Sequence, residues 1–531
     1  IAANVRQFYD RKESYRIYHG STNSTRQSRL NRSRVIDTSK LKHILNVDTV
    51  AKAVLVEPNV PMDSLVEATL QYGLVPPVVM EFPGITVGGG FSGTAGESSS
   101  FRYGFFERTV NWIQIVLADG KIVKASKTNM PDLFHGAASS FGTLGVITLL
   151  ELQLVEAAAY VELTYHPVQS VSEAVKKVED LTADSTVDYL DGILYSKDHG
   201  VICAGRKTNT LKGGVHVQQF TRAADPWFYI HVQRSVAKGR GPITEAVPLV
   251  DYLFRYDRGG FWVGKYAFRY FVTPFNRITR WILDYFIHTL RPIRIDSGST
   301  PGVMDPTHGN QAKVQTTSVQ PVTPGVDPES IRIGRTVDHT DVAVPYSAAE
   351  EFVEYLEADF THYPLWVCPL KQAGQADIST EGVVAERPAP HAPEMLMNFG
   401  VWGPGPKGRQ QFVDMNRRLE RKVDSLGGKK WLYAQAYYTE EEFWTIHNRR
   451  DYDALRTKYH ATHLPSIYDK VKVDVAAEQQ AINALWTTWL LALCWSLWPL
   501  SGIYGVLMAT IGGDYLLPRK PALLVKSNRD E

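Results

Sequence analysis

Residues Gly84–Gly104 read GITVGGGFSGTAGESSSFRYG. Between Gly88 and Gly96 five residues are glycine, and the others are mostly small or hydroxyl-bearing. Such a run has little to bury. It reads as a loop whose bare backbone lies close against something flat and charged. Gly88-Gly89-Gly90-Phe91-Ser92-Gly93 satisfies GxGxxG spacing. A doubly wound dinucleotide site needs that spacing between a strand and a helix, with an acidic residue about 20 positions on. Here Pro76, Pro77 and Pro83 precede it, and the polar string Glu97-Ser98-Ser99-Ser100 follows where a helix should start. The doubly wound reading is rejected. An ordinary surface loop is the alternative to a ligand cradle, and the neighbouring segments decide between them.

Upstream, Ser14–Tyr18 reads as a strand running through His19 into Gly20-Ser21-Thr22-Asn23-Ser24-Thr25. Consecutive N–H groups in a small-residue turn form an anion nest suited to a pyrophosphate, and the hydroxyls of Ser21, Thr22, Ser24 and Thr25 add donors. Ala53–Glu57 is a second strand, and Pro61–Gln71 carries apolar residues at helical spacing after a proline start. Downstream, Trp112–Leu117 and Lys121–Lys124 form a hairpin across Asp119-Gly120. Asp132-Leu133-Phe134 then precedes Gly142-Thr143-Leu144-Gly145-Val146-Ile147, a glycine-bounded turn feeding a strand and offering main-chain amides to a cofactor ring.

A chain of 531 residues holds more than one domain. It is 44% apolar and 21% charged, an ordinary globular composition. A net charge of +1 gives no nucleic-acid footprint. Cys203, Cys368 and Cys494 are far apart and odd in number, so neither a disulfide framework nor a zinc site is indicated, and a reducing or cytosol-facing setting fits. His460-Ala461-Thr462-His463 has no carboxylate placed to complete a metal site and reads as a loop pair. Beginning at Ile1 without methionine, the chain is expected to be a processed or truncated product.

The pattern divides the chain into residues 1–160, 161–430, 431–475 and 476–531. The second part alternates helices (Ser170–Leu181, Ala348–Phe360) with strands (Tyr189–Tyr195, His199–Ala204, Leu365–Pro369, Met395–Phe399), which reads as an α+β domain inserted after the first. Lys429–Ala436 reads as a strand, and Glu440–Arg449 and Tyr452–Tyr459 as helices. From Gln479 to Gly513 no residue is charged, and the stretch exceeds the roughly 20 residues that cross a bilayer. Trp486, Trp489, Trp495 and Trp498 fit an interfacial belt, and Arg519, Lys520, Lys526 and Arg529 behind them suit a cytosolic C-terminus. A spanning helix, a re-entrant hairpin broken at Pro499–Gly502, a surface-lying helix and a buried core helix are the readings open here.

The turn at Gly20–Thr25, the glycine segment and the Gly142–Ile147 turn, in that order, resemble the FAD-binding fold of the vanillyl-alcohol-oxidase type. The resemblance implies an α+β architecture: a two-lobed FAD-binding domain, an inserted substrate cap and, in this chain, a C-terminal hydrophobic membrane segment. It implies that FAD is held by Gly20, Ser21, Thr22, Asn23, Ser24 and Thr25, by Gly88, Gly89, Gly90, Ser92, Gly93, Thr94, Gly96, Glu97, Ser98, Ser99, Tyr103 and Gly104, and by Gly142, Gly145, Val146 and Ile147. Many members tether the flavin to a histidine where this chain has Asn23, so non-covalent FAD is implied. The strings Gly96–Ser100, Tyr103-Gly104, Val116–Gly120, Gly142–Gly145, Tyr363–Pro369, Leu432–Ala434, Glu441–Trp444 and Tyr468–Lys470 are similar to the Δ24-sterol reductase branch of that family. The similarity runs from Ser14 to about Val473. Members of this branch carry an N-terminal anchor, so the resemblance implies that membrane attachment here is moved or duplicated.

The branch implies reduction of a sterol side-chain double bond by reduced FAD, with NADPH as electron donor, at the endoplasmic reticulum membrane with the catalytic part facing the cytosol. Such chemistry needs a proton donor and a dry apolar slot. Candidate donors are Tyr256, Arg258, Tyr433, Glu442 and His447; each has a structural role as its alternative. The aromatic-rich stretch Phe254–Phe275 lines a sterol slot or faces the membrane. Two other functions stay open: an FAD-dependent oxidase or dehydrogenase of an alcohol or other lipid, and a non-catalytic sterol-binding protein that keeps the fold.

Overall fold

The computed structural model describes residues 1–20, 32–211, 213–237, 239, 241–284, 337–372, 395–406 and 408–473. The turn residues Ser21–Thr25 and the whole of 476–531, with its apolar stretch, lie outside the described residues.

The first nine strands are β1 (Arg16–Tyr18), β2 (Val35–Asp37), β3 (Ile44–Asp48), β4 (Ala53–Val56), β5 (Leu74–Val75), β6 (Val110–Leu117), β7 (Ile122–Ser126), β8 (Gly145–Gln153) and β9 (Val155–Glu156). Five of them form an antiparallel sheet in the order β3-β4-β8-β6-β7, while β1 pairs with β2 in parallel. The next eight are β10 (Tyr160–Val168), β11 (Tyr189–Ser196), β12 (His199–Thr208), β13 (Ile243–Pro248), β14 (Val337–Pro345), β15 (Leu365–Lys371), β16 (Met395–Pro404) and β17 (Lys429–Lys430). They form one antiparallel sheet in the order β13-β10-β12-β11-β15-β16-β14-β17. The protein is thus mixed α+β.

Strand alternation gives the large sheet two different faces. Leu190, Ile202, Val342, Val367 and Phe399 point to one side, where they pack with Val178, Phe352 and Leu419 of the helices Val171–Ala183, Ala349–Asp359 and Arg409–Ser425. Ile193, Cys203, Trp366, Cys368, Leu370 and Trp402 point to the other and share one continuous core with Phe91, Phe106 and Val116 of the N-terminal lobe. The sheet therefore lies over the lobe as a cover. Helix Val171–Ala183 starts where predicted because the Ser170 hydroxyl accepts from Glu173 N at 3.1 Å, a cap worth about 1 kcal/mol.

Two readings are corrected. The glycine run is a helix, Val87–Gly93, rather than a loop. It does have a core to join, because Phe91 is fully buried with its ring 5.8 Å from Phe134. The strand predicted over Lys429–Ala436 ends at Lys430. There the chain leaves the sheet: Lys430 is buried against Glu420 at 2.6 Å, and the indole of Trp431 donates to Thr94 O at 2.9 Å. This departure carries the returning segment onto the end of the glycine helix.

Candidate functional site

The glycine helix begins fully bonded. Val87 N donates to Val60 O at 2.9 Å and Gly88 N to Pro58 O at 2.7 Å, while Gly89 N reaches the Thr86 hydroxyl at 3.1 Å and Gly90 N reaches Thr86 O at 2.8 Å. Its leading amides are thus committed within the protein and do not form an anion nest. The glycines also divide by role. A Cβ at Gly88 would lie 2.7 Å from Pro58 Cβ, and one at Gly90 would lie 2.5 Å from Met80 Cε, so both serve internal packing. At Gly89 a Cβ would meet only the Thr86 hydroxyl, at 3.1 Å, and at Gly93 only Tyr433 Cβ, at 4.0 Å. These two, with half-buried Ser92 between them, leave one face of the helix bare. That face fits a flat ring system laid against backbone.

The other two elements meet the same corner. Gly142 takes φ +74°, and a Cβ there would stand 2.5 Å from Ile17 Cδ1, so the Gly142–Gly145 turn rests directly on β1. Gly145 is forced by proximity to Val116 O, 2.5 Å from where its Cβ would be. Phe91 and Phe134 tie the glycine helix to the helix Pro131–Ala137 that leads into this turn. Gly20, at φ +73°, closes β1 against Ser39. Val146 is buried and Ile147 half-buried, paired with Val116 and Ile115 across β6. Gly104 ends the short helix Ser100–Tyr103 at φ +75°. The returning segment locks on from outside: Tyr452 OH donates to Thr143 Oγ1 at 2.8 Å, and Lys470 Nζ to Phe141 O at 2.6 Å.

The string Glu97–Ser100 is polar yet fully buried. Ser98 Oγ donates to Glu97 Oε2 at 2.7 Å and accepts from Tyr252 OH at 3.2 Å. Ser99 Oγ sits 2.7 Å from Pro77 O and also in hydrogen-bond contact with Glu97 Oε1. A serine hydroxyl has one hydrogen. The Pro77 carbonyl and Glu97 Oε1 therefore compete for the one Ser99 hydrogen. Burial pushes the Glu97 carboxyl above its ordinary range, against the bonds from Ser99 and Ser98 and the charge of Arg255, which pull it down. Tyr252, Ser98, Glu97, Ser99 and Pro77 thus form one buried hydrogen-bond chain.

Beside it stands a charged pair with none of its atoms in water. Asp191 Oδ2 accepts from Arg255 Nη2 at 2.7 Å, Tyr256 OH at 2.8 Å and Trp366 Nε1 at 3.0 Å. Asp191 Oδ1, Arg255 Nε and Glu81 Oε1 are buried without a partner among the described residues. Glu81 is pushed well above the ordinary carboxylate range, chiefly by burial and then by Glu97, with Arg255 opposing. In the sheet register Asp191 lies between Cys203 and Cys368, whose thiols burial holds protonated. The line between lobe and sheet thus holds two carboxyls that burial pushes upward, Glu81 and Glu97, and one ion pair.

The five candidate donors separate. Tyr256 is part of this cluster. Arg258 is not: it binds Asp284 Oδ1 at 2.7 Å and the carbonyls of Asp225 and Ala223, which ties down a surface loop. Glu442 caps its own helix and pairs with Arg417 and Arg421, which with the Thr439 bonds hold it down at about 2 despite partial burial. His447 is buried with its ring 4.3 Å from that of Phe443. Tyr433 is half-buried beside Gly93. Glu81, Asp191, Tyr252, Arg255 and Trp366 were missed. The signal was present: a lone aspartate inside Tyr189–Tyr195 and a lone arginine between Phe254 and Tyr256 are charges in apolar runs, which fold only if paired.

Among the described residues no helix is long and apolar enough to cross a membrane. His460 and His463 pack against the Tyr9 ring at 6.1 and 5.5 Å.

Residues 1–126 match the family described as FAD binding domain. The chain is similar to the Delta(24)-sterol reductase of Homo sapiens, 29% identical over 436 residues, covering 81% of this chain and 76% of that protein. To the Arabidopsis thaliana Delta(24)-sterol reductase it is 27% identical over 476 residues, 85% of this chain and 78% of that one. Similarity to cytokinin dehydrogenase 9 of Oryza sativa is 25% over 185 residues, 34% of this chain and 35% of that one. The chain is therefore related to Delta(24)-sterol reductases and carries an FAD-binding domain.

Proposed function

We propose that this protein reduces the Δ24 side-chain double bond of a sterol, using non-covalently bound FAD and NADPH as electron donor. In this reading residues 1–160 hold the flavin, 161–430 cover it and 431–475 close the corner at Tyr433 and Thr143. Gly89, Ser92 and Gly93 lie against the ring system, and Gly20–Thr25 take the pyrophosphate. FAD, when bound, supplies the hydride.

The single observation that carries the proposal is the fully buried Glu97 carboxyl, which burial pushes above its ordinary range, at the line between lobe and sheet. An isolated alkene accepts hydride poorly unless a proton reaches its other carbon. A dehydrogenase of alcohols needs a base at that place instead. In this reading the Glu97 carboxyl carries the proton, Ser98 and Ser99 keep it oriented, and Tyr252 continues the chain for its return. Arg255 and Asp191 fix Tyr256 and Trp366 beside it and keep water from the line. The likeness to sterol reductases over most of the chain supports the substrate class.

The apolar stretch 479–513 and the basic tail support placement at the endoplasmic reticulum membrane with the catalytic part facing the cytosol. Mass spectrometry of sterols after incubation with protein, FAD and NADPH tests the proposal. The account expects a product two hydrogens heavier at the side chain. Unchanged sterol from a protein that carries stoichiometric FAD would overturn it.

A further inference from the structure

The segment 264–283 displays apolar side chains to solvent. Val272 is 74%, Ile278 68%, and Trp281 and Ile282 each 58% exposed, with Phe271 beside them. Ile278, Trp281 and Ile282 are spaced i, i+3 and i+4 on the helix Arg277–Leu283 and so share one face. The opposite face is anchored. Arg280 is buried with its guanidinium 5.8 Å from the Trp227 ring and 5.1 Å from Phe275, and Asp284 is held by Arg258. A capping box between Asn276 and Thr279 fixes the start. The apolar face therefore cannot roll inward without breaking these contacts. Val272 adds to the display: a β-branched residue at φ +52° is strained backbone, and here it points the side chain outward.

The charges around this face have one sign. Lys265, Arg269 and Arg277 are exposed, and residues 264–283 contain no aspartate or glutamate. We propose that this face docks on a lipid bilayer containing anionic lipid, as a contact separate from the C-terminal apolar stretch. Tryptophan, isoleucine and phenylalanine at the headgroup level, ringed by cations, is the composition that an anionic bilayer surface selects. A protein partner of the same size would need anions placed against each cation, whereas a bilayer supplies them anywhere. The face is also joined to the Asp191 cluster by successive ring contacts: Phe275 to Trp227 at 5.4 Å, Trp227 to Tyr229 at 6.4 Å, Tyr229 to Trp262 at 6.2 Å, Trp262 to Trp402 at 5.4 Å, and Trp402 to Phe261 at 4.3 Å, which stacks on Tyr256 at 4.0 Å. If the substrate is a sterol, the docked surface is the side from which it arrives; that consequence alone rests on the proposed function.

The test uses the full chain with Cys494→Ser, in which Cys203 and Cys368 are buried and do not label. A nitroxide on Ile278→Cys is read by power saturation against oxygen and a water-soluble nickel complex. With phosphatidylcholine vesicles containing phosphatidylserine, accessibility to nickel is expected to fall several-fold while that to oxygen rises. The change is expected to shrink on pure phosphatidylcholine and in the triple variant Lys265→Glu, Arg269→Glu, Arg277→Glu. A label that stays open to nickel on vesicles that bind the protein overturns the proposal. So does a label shielded from both reagents before vesicles are added, which would mean that residues 285–336 or a second copy cover the face. Sterol reduction by the same preparation in detergent micelles is read separately, so docking can fail while the activity stands.

Discussion

Replacing Glu97 by glutamine tests the hydrogen-bond chain at its centre. The amide keeps the carboxyl's shape. Its oxygen still accepts from Ser98, and its nitrogen takes the place of Oε1 beside the Ser99 hydroxyl. One amide hydrogen is left without a partner, which costs about 1–3 kcal/mol of stability. In the proposed reading the acid is neutral in the folded protein, so no charge is lost. The FAD complex is therefore expected to form. The amide cannot release a proton at neutral pH, however, and general acid catalysis contributes about 10²–10⁴-fold, or about 3–5 kcal/mol of barrier at 1.36 kcal/mol per decade. Stopped-flow absorbance separates the two halves of the cycle. Flavin bleaching by NADPH is expected at near wild-type rate, and its reoxidation by a Δ24-sterol is expected to slow by that factor. Equal slowing of both halves, or none in the second, would refute the assignment of the proton to Glu97. The pH dependence follows in sign. A carboxyl raised in the folded state gives stability that is complete below its ordinary range and is lost as pH rises through the raised value. The glutamine variant is expected to lose that decline.

Arg255→Met leaves Asp191 charged and buried, at a cost of about 3–5 kcal/mol, which at about 2 °C per kcal/mol in a large domain lowers the melting midpoint by about 6–10 °C. Adding Asp191→Asn is expected to restore most of it; a double variant as weak as the single one would show that the pair is not sealed from water. Gly93→Val points into the bare face with only Tyr433 nearby, so circular dichroism is expected to be native while FAD is lost on gel filtration, whereas Gly90→Val strikes Met80 and Phe106 and is expected to unfold the lobe. Retained stoichiometric FAD in Gly93→Val would remove the ring from that face. Burial pushes the Asp341 carboxyl up to about 8, against a bond from Asn398. The stability it gives is present below about pH 4 and lost by about pH 8, so Asp341→Asn is expected to flatten the fall in melting midpoint across that range.

Local chemistry made most elements legible. The strands Ala53–Val56 and Tyr189–Ser196 and the helices Met62–Leu70 and Ala349–Asp359 lie within a residue or two of their predicted ends, since strong periodicity fixes them locally. The glycine helix was misread because its propensity is poor. It forms because Pro58, Val60 and Thr86 bond its first amides, and because Gly88 and Gly90 let Pro58, Met80 and Phe106 approach. Lys429–Ala436 has strand composition, yet the buried Glu420–Lys430 pair and the Trp431–Thr94 bond draw it off the sheet. Of the candidate site, the segments were legible and the partners were not. Glu97 stood inside a quoted motif, but its burial and its hydrogen-bond chain depend on Pro77, Tyr252 and the sheet above, which are distant in sequence. Asp191 and Arg255, 64 positions apart, meet only once β11 has folded over the lobe.

The central claim is that electrons pass from NADPH through bound flavin to a sterol double bond. Anaerobic titration of the purified flavoprotein measures it directly. NADPH is expected to bleach the flavin band near about 450 nm, and a Δ24-sterol added without oxygen is expected to restore the band with formation of the saturated side chain. A flavin that NADPH leaves oxidised and an alcohol bleaches would contradict the account.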